Sequence, residues 1–498
     1  MELYQIRLTH AALVREYRAA FRIRPDLFCA TTSAEAHRMT AAPNIILILA
    51  DDMGYGDFGC FNNGASRTPT LDHLVRDGVC LTQHYSASPV CAPARASLMT
   101  GRYPHRTGAI DTLETRGLDR LALRELTVAE LLKRAGYATG LIGKWHNGAY
   151  DSRYHPNRRG FDEFAGFSGG WQPYYQWNLD RNGSISRSDG RYLTDVFTDE
   201  ATEFIRRHRG EPFFLHLAYN APHFPFEAPE ADAAPYKASG NFTPAVSQIY
   251  AMIECMDRGI ARVLDTLDKS GLADNTIVMF SSDNGPQFGG KGERCTDRFN
   301  CGFAGAKTLV YEGGIRLPMV IRWPAGLEGR RQVHDMIHFT DWLPTLLALA
   351  GAAPPRDLKL DGIDVSAALQ GERDKVPTER FWQWNRYTPD GECNAAMRDG
   401  RWKLVRPAIR ELMMVSNEDL AMDVQSKYNP ENFHEISRAP EPEHIKPTPP
   451  PAQLFDIVND PFERNDLAAH EPDRVSRMTN ALASWFEDVE RDRRAIQD

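Results

Sequence analysis

Cysteine is scarce in this chain. Its eight thiols, at positions 29, 60, 80, 91, 255, 295, 301 and 393, are scattered over 498 residues, which excludes a disulfide scaffold. Cys295 and Cys301 are read as a pair only if the protein is exported. No CxxC pair and no Cys/His cluster has zinc spacing. Long apolar runs are missing too: the stretch from Asn44 to Ala50 is of strand length, far short of the ~18 residues that span a bilayer. There is no surplus of positive charge, and a formal net charge of -9 speaks against a nucleic-acid or anionic-membrane partner. No internal repeat is visible. Residues 1–38 are rich in arginine and lack an apolar core of signal-peptide length. Met39 is therefore read as the natural start, residues 1–42 as a leader outside the fold, and the protein as cytoplasmic.

What is present is alternation. Asn44–Ala50, Ala138–Gly143, Pro212–Tyr219, Thr276–Ser281 and Met319–Arg322 read as strands, the first a continuous isoleucine-rich run suited to burial on both faces of a parallel sheet. Leu126–Tyr137, Ser247–Leu267 and Asp341–Ala350 have helical spacing. This order predicts an α/β fold with a large, mostly parallel central sheet flanked by helices. Composition shifts near Pro354-Pro355 and between Gly371 and Pro377 close a large domain at residues 43–372. Residues 373–498 read as a smaller C-terminal domain. It has antiparallel strands at Arg380–Asn385, Ala395–Met397, Trp402–Val405 and Leu454–Ile457, and a last helix from Pro472 to Glu490. An insertion at 406–451 is long for an ordered connection. It reads as a substrate-facing flap or a mobile linker, and its proline-dense tail, Pro440 to Pro451, favours the linker.

The chemistry-bearing residues gather where predicted strands end. Asp51-Asp52 and Asp283-Asn284 each follow a strand, where open α/β sheets place their ligands. The first pair reads as an ordinary acidic turn or as hard-oxygen ligands for Ca²⁺ or Mg²⁺, and two such pairs converging on one sheet edge would make an oxygen cage for a divalent cation. Lys144-Trp145-His146 follows a third strand, and an extended chain would put Lys144 and His146 on one face. Cys91-Ala92-Pro93-Ala94-Arg95 suits a helix start: proline is tolerated in a first turn, and Gly101 is a stop. A cysteine there is either an inert core thiol or a reactive group at an anion site, with Arg95 one turn along. Residues 160–180 form a glycine- and aromatic-rich loop with no helical or strand period. Its Trp171, Tyr174, Tyr175 and Trp177 either stack on a sugar or aryl ring or anchor the loop.

Cys91-x-Pro93-x-Arg95 followed by Thr100-Gly101-Arg102 closely resembles the signature of the type I sulfatases, with Ala94 at the family's common serine. The succession Asp51-Asp52, Cys91, Gly143-Lys144-Trp145-His146, Pro222-His223, Asp283-Asn284-Gly285, Lys307, Tyr311-Glu312-Gly313-Gly314 and Arg316 is similar to that family's layout. Only the leader and the insertion fall outside it. The resemblance implies an alkaline-phosphatase-like sandwich and a sulfuric ester hydrolase. It implies formylglycine (3-oxoalanine), made from Cys91 by a formylglycine-generating or anaerobic sulfatase-maturing enzyme. It also implies one Ca²⁺ per subunit on Asp51, Asp52, Asp283, Asn284 and the modified Cys91.

By the same resemblance Arg95 steadies the aldehyde hydrate, Lys144 and Lys307 clasp sulfate, and Asp283 takes the attacking hydroxyl's proton. His223 with Lys307 protonates the leaving alcohol, and His146 serves the later step. Asn147 stands where many relatives have leucine and is read as altering a subsite. Asn385, Arg386 and Tyr387, with Trp171 and Trp177, are read as contacts to a sugar, which makes a carbohydrate sulfate ester the expected substrate. Two alternatives accompany this reading: a formylglycine-dependent phosphonate monoester or phosphodiester hydrolase, and a silent sulfated-glycan binding protein.

Overall fold

The structure, a computed structural model, describes residues 42–290, 293–372 and 376–498. Apart from residue 42, the expected leader lies outside the described residues.

Among the described residues the large sheet has eleven strands. In chain order they are β1 (Asn44–Ala50), β2 (Val79–Tyr85), β3 (Ala138–Lys144), β4 (Glu163–Phe167), β5 (Asn178–Arg181), β6 (Ser184–Arg187), β7 (Phe213–Ala218) and β8 (Thr276–Ser282). After a two-residue-per-strand hairpin, β9 (Gly289–Gly290) with β10 (Glu293–Arg294), follow β11 (Arg316–Arg322), β12 (Arg331–Val333) and β13 (Ile337–His338). The spatial order is β12-β2-β11-β8-β1-β7-β3-β4-β5-β6, with β13 beside β2. β1 lies at the centre and pairs in parallel with β7 and β8. Both of its faces are covered, which is why its sequence is apolar without alternation. Ile46, Ile48 and Ala50 pack with the helices Leu193–Arg207 and Pro244–Lys269. Ile45, Leu47 and Leu49 pack with Val128–Arg134 and Trp342–Leu349 on the other side.

Register then decides function. Ala50 pairs with Ser282, Leu49 with Ala218, and Gly143 with Ala218, so β8, β1, β7 and β3 release their next residues at one edge. Gly143 is required for this closeness. Its φ is 110°, and a Cβ there would lie 1.9 Å from the Ala218 carbonyl oxygen. β11 runs antiparallel between β8 and β2, so the loop before it, carrying Lys307 and Glu312, also reaches this edge.

A second sheet, β14 (Glu379–Gln383), β15 (Ala395–Asp399), β16 (Trp402–Arg406) and β17 (Gln453–Asp456), is antiparallel in that order. One face packs on the helix Pro472–Arg494 through Met478, Leu482, Trp485 and Val489. The other meets the large domain through Tyr85, Val310, Ile315, Trp382 and Phe455.

Two sequence expectations need correction. Residues 160–180 include β4 and most of β5, which join the large sheet and are too short and glycine-broken to show a period, while 168–177 between them form the expected loop. Residues 406–451 are not a linker: they include a helix, Asn417–Tyr428, fastened to the large domain. Asp419 pairs with Arg116 at 2.6 Å, Lys427 pairs with Glu114, and Trp171 Nε1 donates to Asp423 at 3.1 Å. Polar pairing rather than an apolar stripe holds this helix, so no periodicity announces it. The proline-dense tail is also tied down, by Lys446 on Asp390 and Glu392.

Candidate active site

Cys91 is the first residue of the helix Cys91–Thr100, which ends on left-handed Gly101. Proline at its third position needs no backbone donor there. Asn147 donates to the Ala92 carbonyl at 3.0 Å and fixes this start from beneath. It is fully buried, so the subsite expected for it is absent. The Cys91 side chain donates to Asp51 Oδ1 at 3.5 Å. Burial, the largest influence, pushes its thiol up to about 12 despite Lys144 and Lys307 nearby. A thiol so placed is not an ionised nucleophile near neutral pH.

Around it lie three carboxylates and three cations, all but Lys307 essentially inaccessible. Lys144 Nζ sits 2.6 Å from Asp51 Oδ2, and Lys307 Nζ 2.7 Å from Asp52 Oδ1. Arg95 donates Nε to Asp283 Oδ2 at 2.9 Å, with Nη2 also 2.8 Å from it and 3.8 Å from Asp51. Asn284 Nδ2 donates to Asp52 Oδ1 at 2.8 Å, and the Asp52 amide to Asp283 Oδ1 at 3.3 Å. The two oxygen pairs thus converge. Burial raises Asp51 to about 7, with Asp283 adding repulsion and Lys144 opposing it. For Asp283, burial is outweighed by Arg95 and Lys144, which hold it below the carboxylate range. For Asp52, burial is outweighed by Lys307 and His223, with the same outcome.

This donor set fits a hard divalent cation. Ligand atoms of Asp51, Asp52, Cys91 and His223 lie within 4.8 Å of one another. Asn284 Oδ1, on the amide whose Nδ2 meets Asp52, is buried and accepts no hydrogen bond. Asp52 has φ 67°. Its carbonyl accepts from Arg298 Nη2 at 2.7 Å, and Arg298 also forks onto Asp57 at 2.8 and 2.7 Å. This buried clamp escapes a sequence reading because Arg298 and Asp57 lie in unrelated loops.

Both histidines carry a defined tautomer. His146 Nε2 faces the Thr112 carbonyl at 3.2 Å and therefore bears the proton, leaving Nδ1 buried and without a partner. Burial, then Lys144, holds the ring well below its usual pKa. Its φ of 54° takes the chain out of the extended conformation after Lys144, so Lys144 and His146 are not placed by strand alternation. His223 Nδ1 donates to the Phe224 carbonyl at 2.6 Å, while Nε2 lies 3.8 Å from Asp52. Burial, then Lys307, lowers it to about 3.

Cys91, His146, His223 and Lys307 form the floor of a cavity of about 690 Å³. Its walls include Leu113, Trp171, Phe224, Phe288, Arg386, Val415, Leu420 and Asp423. Of the expected sugar contacts, Trp171 and Arg386 are here. Trp177 is not: it is 3% exposed in the core beneath β5, donating to the Arg191 carbonyl. Asn385 and Tyr387 are spent on loop carbonyls and on Asp419. The sequence reading missed Leu420 and Asp423, which sit on the helix mistaken for a linker.

Residues 43–352 match the sulfatase family, and residues 303–447 match the family described as N-sulphoglucosamine sulphohydrolase, C-terminal. The second match takes in most of the insertion. The chain is 31% identical to mouse (Mus musculus) steryl-sulfatase over 92% of its own length and 83% of the relative's. It is 34% identical to the dog (Canis lupus familiaris) N-acetylgalactosamine-6-sulfatase over 66% of each. The crystal structure of Ps i-CgsB in complex with k-i-k-neocarrahexaose superposes with a TM-score of 0.72 at 30% identity, covering 89% of this chain and 92% of that one.

Proposed function

The chain belongs to the sulfatase family and is a sulfuric ester hydrolase, and on that premise we propose that its centre is built from Cys91 as formylglycine and one Ca²⁺. The cation would be held by Asp51, Asp52, Asp283, Asn284 and the converted Cys91. The observation that supports this most is the convergence of two strand-end oxygen pairs on the Cys91 helix start, with the orphaned Asn284 oxygen among them. A bound cation would polarise a sulfate oxygen, and the converted side chain would bring a hydroxyl nucleophile that the buried thiol does not offer.

The remaining roles fall to this chain's own groups. Lys307, beside Cys91 on the cavity floor, and Lys144 behind it bring positive charge to the sulfate oxygens. Arg95 keeps Asp283 ionised, which is the state a proton acceptor needs, so Asp283 receives the nucleophile's proton. His223 is neutral before substrate arrives, so the leaving oxygen's proton comes through His223 in concert with the Lys307 ammonium. His146, neutral with a bare Nδ1, is the base for the step that frees sulfate. The alcohol half of the ester is read as a carbohydrate. Trp171 on the cavity wall, the Ps i-CgsB complex and the N-acetylgalactosamine-6-sulfatase relative support that reading. Protein matured in a host that converts Cys91 should turn over an aryl sulfate far faster than an aryl phosphonate monoester. The reverse ranking would replace this reading with a phosphonate monoester hydrolase.

A further inference from the structure

The cavity floor and its wall differ in charge. On the floor, Arg95, Lys144 and Lys307 balance Asp51, Asp52 and Asp283, so any divalent cation leaves an excess of positive charge where sulfate sits. The wall has no such excess. Its Arg386 is 2.8 Å from Asp111, and Lys427 behind it is shared between Glu114 and, at 3.5 Å, Asp423. Two cations thus face three carboxylates. Asp423 lines the cavity with 27% of its side chain exposed, held in place by Trp171 Nε1. Beside it the wall is apolar: Leu420, 45% exposed, with Val415, Phe224, Phe288 and Leu113. An exposed leucine on a helix that faces a cavity is surface offered to a ligand.

From this we infer that the helix Asn417–Tyr428 selects esters carrying a single anionic group, with Asp423 and Leu420 as specificity-determining residues. Leu420 receives an apolar face of the alcohol, and Asp423 repels a second sulfate or a carboxylate on it. This rests on the sulfatase reading of the floor and goes beyond it by naming the substrate's charge. A bound sugar would present its hydroxyls to Arg386 and Thr112 and one ring face to Leu420 or Trp171. A second sulfate on that ring finds no unpaired cation among the described wall residues.

The test compares matured enzyme on three esters: a small aryl sulfate, a monosulfated amino sugar, and the same sugar bearing a second sulfate. The aryl ester needs only the floor. The account expects wild type to favour the monosulfated over the disulfated sugar by about tenfold or more in kcat/KM. Asp423→Asn keeps an acceptor for Trp171 and removes a charge, and should shrink that ratio about fivefold, the order set by one charge in a partly hydrated site. Leu420→Lys, on an exposed position that tolerates replacement, should shrink it further. Equal kcat/KM for both sugars in wild type, or a ratio unmoved in both variants, would overturn the inference while hydrolysis of the aryl ester leaves the sulfatase reading standing. No hydrolysis of any of the three would bring down the reading itself, and the inference with it.

Discussion

Arg298 offers the sharpest link between fold and site. It and Asp57 are fully buried, and the guanidinium spends two bonds on Asp57 and one, at 2.7 Å, on the carbonyl of Asp52. Arg298→Met keeps the apolar stem and abandons the Asp57 carboxylate in a dry setting. Breaking a buried pair from one side costs about 3–5 kcal/mol. Asp57 retains its bond from the Gly54 amide at 2.7 Å, which places the expectation at the lower end, about 3 kcal/mol. Arg298→Lys keeps the charge and loses the fork, which should cost about 1–2 kcal/mol. Denaturant unfolding of the three proteins measures both. The clamp also holds Asp52 at φ 67°, a conformation an aspartate adopts only when its surroundings impose it. Calcium affinity should therefore weaken about tenfold in Arg298→Lys, read by titration of chelated protein. A loss below about 1 kcal/mol in Arg298→Met, or unchanged calcium affinity in a destabilised Arg298→Lys, would refute the reasoning at its first or second step.

Further outcomes follow from the same contacts. Trp171→Ala should raise KM for a sulfated sugar about tenfold with a smaller change in kcat, since the indole lines the cavity. Trp177→Ala should instead cost about 3–5 kcal/mol of stability and leave KM alone; a KM effect from Trp177 would return it to the site. Asp51 is raised to about 7 chiefly by burial, so below that pH a proton competes with the cation. Calcium binding at pH 6 should then release a proton and weaken about tenfold per pH unit further down. An affinity flat from pH 5 to 8, by calorimetry in two buffers, would contradict this. Cys91→Ser should release at most one alcohol per enzyme in a rapid-mixing assay and keep the sulfate bound to the side chain, because a serine ester cannot free sulfate by re-forming a carbonyl. Steady turnover by that variant would dismiss the mechanism.

Much of the centre was legible because strand ends carry it. Ile45 to Leu49 announce a doubly covered central strand, and the residues after β1, β3 and β8 inherit their places from its register. Proline and glycine punctuation likewise located the Cys91 helix. What was illegible depends on contacts distant in sequence. Trp171 and Trp177 look alike in one aromatic loop, and only the pairing of β4 with β5 sends one to the cavity and the other into the core. Asn147 reads as a subsite residue in sequence because its partner, the Ala92 carbonyl, lies across the fold. The helix Asn417–Tyr428 has no apolar stripe to betray it, since Asp419, Asp423 and Lys427 are anchored by Arg116, Trp171 and Glu114. A polar segment that pairs with a remote surface looks, in sequence, like a solvated one.

The most direct trial of the central claim is the mass of the peptide containing Cys91, taken from protein that shows multiple turnovers on a sulfate ester. The account predicts an aldehyde in place of the thiol-bearing methylene, in proportion to specific activity. Full activity in protein whose Cys91 is entirely an unmodified thiol would contradict it.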